Sequence, residues 1–135
     1  MLQEEFKVRF YETDALGHVN NTVVPMWIET GRLPIFEFFG EMSPDTQSLI
    51  VARLEVDYTR PIFFGSNVVV KTFVSRLGGS SFDIGTEIWQ GDNLCAKGKT
   101  VLVYFDFGEQ RPIPLTDELR SRLATLTHPE QSIDT

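Results

Sequence analysis

The sequence predicts an α+β arrangement over its 135 residues, with one long apolar helix laid against an antiparallel sheet of five strands. Three observations lead there. Apolar and polar residues alternate at period two in several segments. The last three such segments are joined by short glycine-containing turns, which connect antiparallel neighbours. A single helix-like run, Thr22 to Phe39, follows the first strand.

The first strand is read from Phe6, Val8 and Phe10 alternating with Lys7, Arg9 and Tyr11, and it gives out at Asp14. In the helical run, Thr22 as N-cap puts Pro25 at the third helical position, whose N–H has no intrahelical partner in any case. Pro34 is predicted to split the helix and restart it. Leu33, Ile35, Phe36, Phe38 and Phe39 are then too apolar for a free surface, so this second piece is expected to be buried. The second strand sets Ile50, Ala52, Leu54, Val56 and Tyr58 against Val51, Arg53, Glu55, Asp57 and Thr59, a half-buried pattern ended by Pro61 and Gly65. Val68 to Leu77, rich in β-branched residues, is the third. After Gly78-Gly79-Ser80, Phe82 to Gln90 forms the fourth, and after Gly91-Asp92-Asn93, Leu94 to Asp106 forms the fifth. A short helix from Asp117 to Leu126 has Thr116 as N-cap and acids in its first turn, which suit the helix dipole. The tail after Thr127 reads as disordered, within a single domain spanning 1–135.

With 41% hydrophobic and 23% charged residues, the composition is that of a globular chain able to bury about two thirds of its unfolded surface. No apolar run approaches the ~18 residues a membrane span needs. Met1 to Phe10 has no apolar core of a signal peptide, so a cytoplasmic location is expected. One cysteine and two histidines argue against a disulfide or a structural metal site, and no metal is expected. A net charge of −7 opposes binding to nucleic acid or to an anionic membrane.

The chemistry concentrates in Asp14-Ala15-Leu16-Gly17-His18-Val19-Asn20-Asn21, where an acid, a glycine turn, a histidine and a helix N-terminus fall within eight residues. A carboxylate beside free backbone N–H groups is the equipment of acyl transfer. Taken alone, Asp14 serves equally as a turn-making or capping acid. Gly17 supplies a positive φ. His18 reads as a positioning residue, and Asn20 and Asn21 as loop residues before the helix. Glu12, two before Asp14, reads as a wet strand end; His128 and Cys95 read as structural. No serine stands in a nucleophile elbow.

Read with its flanks, Arg9-Phe10-Tyr11-Glu12-Thr13-Asp14-Ala15-Leu16-Gly17-His18-Val19-Asn20-Asn21 resembles the 4-hydroxybenzoyl-CoA thioesterase-like branch of the hotdog-fold superfamily. Glu29 with Arg32, Tyr58-Thr59-Arg60-Pro61 with Gly65, and Ser81-Phe82 extend the match over Glu5 to Asp106. One departure lies at the helix start, where Val24 and then Pro25 stand in place of a frequent aromatic, implying a differently shaped pocket. The resemblance implies a hotdog, a five-stranded sheet curled around a central helix, paired into homodimers and often into homotetramers.

It further implies hydrolysis of an acyl-CoA thioester with no cofactor, coenzyme A being part of the substrate. Asp14 would act as nucleophile or general base, and the N–H of Asn21, seven residues on, would polarise the thioester carbonyl. Gly17, Val19 and Asn20 would bind substrate, with His18 positioning; Trp27, two turns from the loop, reads equally as core or as a wall of the acyl pocket. Ser80, Ser81 and Arg111 would contact coenzyme A, with Arg76, Lys97 and Lys99 as further candidates. Because coenzyme A is itself an anion, basic residues must gather locally on this acidic chain. The remaining alternatives are a hotdog hydratase or dehydratase and a non-catalytic acyl-CoA-binding protein.

Overall fold

The computed structural model describes residues 1–43 and 45–135. Strand β1 (Leu2–Phe6) leads through a loop to helix α1 (Val23–Gly31) and a short α2 (Leu33–Phe36). Four long strands follow: β2 (Gln47–Tyr58), β3 (Val68–Leu77), β4 (Ser81–Gln90) and β5 (Asn93–Asp106). A two-residue β6 (Arg111–Pro112) and helix α3 (Asp117–Ala124) complete the chain. The long strands form one antiparallel sheet in the order β1-β3-β4-β5-β2, with β6 added to β5 beyond the five strands expected.

Helix α1 lies on the sheet because one stripe of it is apolar: Val23, Val24, Trp27, Ile28 and Gly31 are buried. Beneath them Val68, Val70 and Ile88 of the central strands are inaccessible to solvent or nearly so. Two missing side chains set the approach. A Cβ at Gly31 would meet Val70 Cγ1 at 2.9 Å, and one at Gly98 would meet Ile28 Cδ1 at 2.7 Å. Pro34 restarts the helix as the sequence predicts, Arg32 serving both as C-cap of α1 and N-cap of α2. At the far end Ile35, Phe39 and the α3 residues Leu119 and Leu123 close a second apolar cluster over Leu77, Phe82 and Tyr104.

Five expectations are corrected. The first strand stops at Phe6 instead of running to Asp14; Phe10–Glu12 is a 3₁₀ turn, because the Glu12 carboxylate takes the Arg9 N–H at 2.7 Å and Phe10 C=O takes the Thr13 N–H at 3.1 Å. In β2 the alternation breaks at a bulge between Val51 and Arg53, so Val51 faces inward with Leu54 while Ile50 faces out. The inward face of β2 is also uncovered, with Val51 50%, Leu54 41% and Tyr58 51% exposed. Leu33, expected to be buried, is half exposed. The tail beyond Thr127 is ordered rather than disordered: Asp134 exchanges backbone hydrogen bonds with Ser75 and Leu77 at the β3 bulge, and His128 Nε2 lies 3.0 Å from Glu87 Oε2 on the sheet's outer face. Among the described residues no helix is long and apolar enough to cross a membrane.

Candidate active site

The loop between β1 and α1 is stapled by its own backbone. Asp14 N–H donates to His18 C=O at 2.8 Å, Gly17 N–H returns to Asp14 C=O at 3.1 Å, and Gly17 takes φ +80°, as its position in the turn requires. Asn20 N–H donates to Glu12 C=O and Val19 N–H to Ile62 C=O, both at 2.8 Å, which ties the loop to the segment after β2. Asp14 therefore does make a turn: its Oδ1 accepts from Leu16 N–H at 2.9 Å. Its other oxygen has no partner among the described residues, and the residue lines a cleft of about 340 Å³.

Cap chemistry at α1 differs from the sequence reading. Thr22 is the N-cap by position but its side chain caps nothing. Asn20 Oδ1 instead accepts from Thr22 N–H at 2.9 Å and from its hydroxyl at 2.8 Å, while Asn20 C=O accepts from Val23 N–H at 3.0 Å. Asn21 N–H then has no acceptor among the described residues, at the end of a helix where partial positive charge gathers. Asn21 lines the same cleft as Asp14.

The cleft brings together Asp14, His18, Val19 and Asn21 from the first loop with Val24 of α1. The His18 ring packs edge-on against Phe63 at 5.0 Å and makes no hydrogen bond to Asp14, so the two are joined through backbone only. Trp27 takes the core alternative: at 6% exposure it lies in the apolar cluster with Val23, Ile28 and Val68. An apolar ring on the sheet-facing stripe of α1 is drawn into that core.

Ser80, Ser81 and Arg111 lie elsewhere. The turn before β4 and the segment after β5 do meet, through Tyr104 N–H to Ser80 C=O at 2.9 Å and Leu115 N–H to Gly79 C=O at 2.8 Å. Ser81 Oγ accepts from Arg76 at 2.9 Å, and Arg111 is exposed. This end of the sheet is separated from the cleft by the length of β3, roughly 30 Å for its strand spacing. Of the other candidates, Arg76 and Lys99 are held by buried Asp83, at 2.8 and 3.5 Å.

The sequence reading left out the opposite wall, made by Tyr58, Thr59, Arg60, Pro61, Ile62 and Cys95. Tyr58 donates its hydroxyl to Asn21 C=O at 2.7 Å, and Arg60 donates to Asn93 Oδ1 at 3.2 Å. Burial pushes the Cys95 thiol and the Tyr58 phenol above their usual ranges, so both stay protonated at neutral pH. The string Tyr58 to Pro61 was visible in the sequence, but only folding sets it beside Asn21. Among the described residues no three His, Cys, Asp or Glu come together as metal ligands would. A carboxylate that shares a cleft with an unused helix N-terminal N–H can attack, or activate water against, an acyl carbonyl held between them.

The family model of the thioesterase-like superfamily matches residues 8–123. Among solved structures, a predicted thioesterase from Bacillus stearothermophilus superposes with a TM-score of 0.84 at 38% identity, covering 94% of this chain and 96% of that one. A thioesterase from Thermus thermophilus, complexed with coenzyme A and Zn, gives a TM-score of 0.79 at 35% identity over 93% of each chain. Among curated relatives, the long-chain acyl-CoA thioesterase FadM of Escherichia coli (strain K12) is 25% identical over 127 residues, 90% of this chain and 96% of its own length. With its helix wrapped by an antiparallel sheet and an acid at the helix mouth, the chain belongs to the thioesterase-like superfamily and carries the hotdog fold.

Proposed function

We propose that the protein hydrolyses acyl-CoA thioesters to a free acid and coenzyme A. One observation carries the reading: the Asp14 carboxylate and the unused Asn21 N–H line one cleft whose floor, Val19, Val24 and Ile62, is apolar. An acyl group seated there has its carbonyl between an anionic oxygen and a helix N-terminus. Asp14 either attacks the carbonyl, releasing the thiolate and forming a mixed anhydride that water opens, or takes the proton of an attacking water. On either path the carbonyl oxygen gains charge, and the N–H of Asn21 stabilises it. Coenzyme A enters only as part of the substrate.

The working unit in this reading is a homodimer. Strand β2 is a sheet edge with a half-exposed apolar face, whereas the other edge, β1, is five residues long and presents Gln3, Glu4 and Glu5. Two β2 edges paired antiparallel around a two-fold axis set the Tyr58 end of one copy beside the Gln47 end of the other. That arrangement supports assigning Ser80, Ser81 and Arg111 of one copy to coenzyme A held at the other copy's cleft. A light-scattering mass of one chain at micromolar concentration would rule it out. The free Cys95 fits a reducing cytoplasm.

The test is thiol release from a panel of acyl-CoAs by the wild-type chain and Asp14→Asn. The variant is expected to fold and bind while losing ~10²–10⁴-fold in turnover, the worth of general base catalysis. Wild-type turnover in the variant would refute the role of Asp14. Binding without any turnover by the wild type would favour a non-catalytic acyl-CoA-binding protein, and enoyl-CoA hydration a hydratase.

A further inference from the structure

The start of α1 leaves one carbonyl that a distant residue satisfies. The helical ladder opens on the carbonyl of the N-cap, here Thr22. Asn21 precedes the N-cap, so its carbonyl has no donor within the helix. Tyr58, the last residue of β2, supplies one: its hydroxyl donates to Asn21 C=O at 2.7 Å across 37 residues of sequence.

Asn21 is thereby held from both sides. On one side Asn20 C=O accepts from Val23 N–H at 3.0 Å. Because that peptide is planar and trans, its N–H, which belongs to Asn21, points the opposite way from the carbonyl. On the other side Tyr58 fixes the next peptide, Asn21 to Thr22. With both peptide planes set, the N–H of Asn21 has one direction rather than a range of them.

We propose that Tyr58 is a positioning residue of the hydrolytic site: by donating to the carbonyl just outside the helical ladder, it orients the Asn21 N–H toward the thioester carbonyl. This rests on the thioesterase reading given above. The phenol suits the task. Its aromatic ring stands at the end of a strand, and a phenol keeps its proton across the neutral range.

The test uses the full chain with an acyl-CoA that the wild type hydrolyses. Tyr58→Phe keeps the ring and removes the donor. It is expected to lower kcat by about ten- to hundredfold, somewhat less than outright loss of an oxyanion donor, with KM, oligomeric mass and melting temperature unchanged. A Tyr58→Phe enzyme with turnover within about twofold of wild type would overturn the proposal. So would a loss accompanied by a collapse of melting temperature, which marks a merely structural residue. A wild-type chain that releases no thiol from any acyl-CoA would instead overturn the thioesterase reading, and Tyr58's role with it.

Discussion

Gly31→Ala probes how closely α1 is seated on the sheet, the contact that fixes the height of the candidate site. The added Cβ would stand 2.9 Å from Val70 Cγ1 and 3.0 Å from Thr72 Oγ1. Carbon atoms rest at about 3.5–4.0 Å, so the methyl needs roughly 0.5–1 Å that is not there. Neither neighbour can yield easily. Both are β-branched, with χ1 restricted, and both are fully buried on β3 between β1 and β4. Overpacking of this kind costs about 1–3 kcal/mol. Alanine returns up to ~1 kcal/mol of helix propensity, and less at the last residue of a helix. The net is a destabilisation of about 1–2 kcal/mol, which for a chain of this size lowers the melting temperature by roughly 3–8 °C. Urea midpoints and thermal melts of Gly31→Ala should be compared with those of Gly79→Ala, where an added Cβ meets nothing within 4 Å. If Gly31→Ala matches or exceeds the wild type in stability, the close approach is not limiting and the argument fails.

Other expectations follow from single contacts. Thr116 Oγ1 accepts from Leu119 N–H at 3.2 Å, so Thr116→Ala should cost ~1 kcal/mol in urea unfolding and Thr116→Ser much less; equal losses would deny the cap. Cys95 is buried and its thiol is pushed up in pKa, so less thiolate exists at a given pH than in the unfolded chain. Alkylation at pH 8 should therefore be slow in the native protein and complete in urea; equal rates would contradict the burial. Arg111→Ala should raise KM for an acyl-CoA while leaving turnover nearly unchanged, and should not matter for a short thioester lacking the nucleotide. Equal losses on both substrates would return Arg111 to a structural role.

What the sequence determined by itself was local. Val68–Leu77 formed as a strand over those same residues, because a β-branched run bounded by glycine leaves little choice. Thr116 capped α3, since a cap needs only three further residues. Pro34 split the central helix because a proline in a helix interior removes a ladder bond. The Asp14–Asn21 segment was legible for the same reason: acid, turn and helix start share one loop, and their hydrogen bonds close within a few residues. Tertiary structure decided whatever depended on partners far along the chain. Trp27 went to the core rather than the cleft because sheet residues beneath it completed an apolar cluster. The tail became ordered because the β3 bulge offered backbone groups to Asp134, and Glu87 offered a carboxylate to His128, none of which shows in the tail's own composition. The uncovered face of β2 follows from its edge position in the order β1-β3-β4-β5-β2, which alternation cannot give. Tyr58 reached Asn21 only because the sheet carried the end of β2 to the mouth of α1. A period or a cap is written in neighbouring residues, but the partner of a strand edge, or of a carbonyl just outside a helix, exists only once the chain has closed on itself.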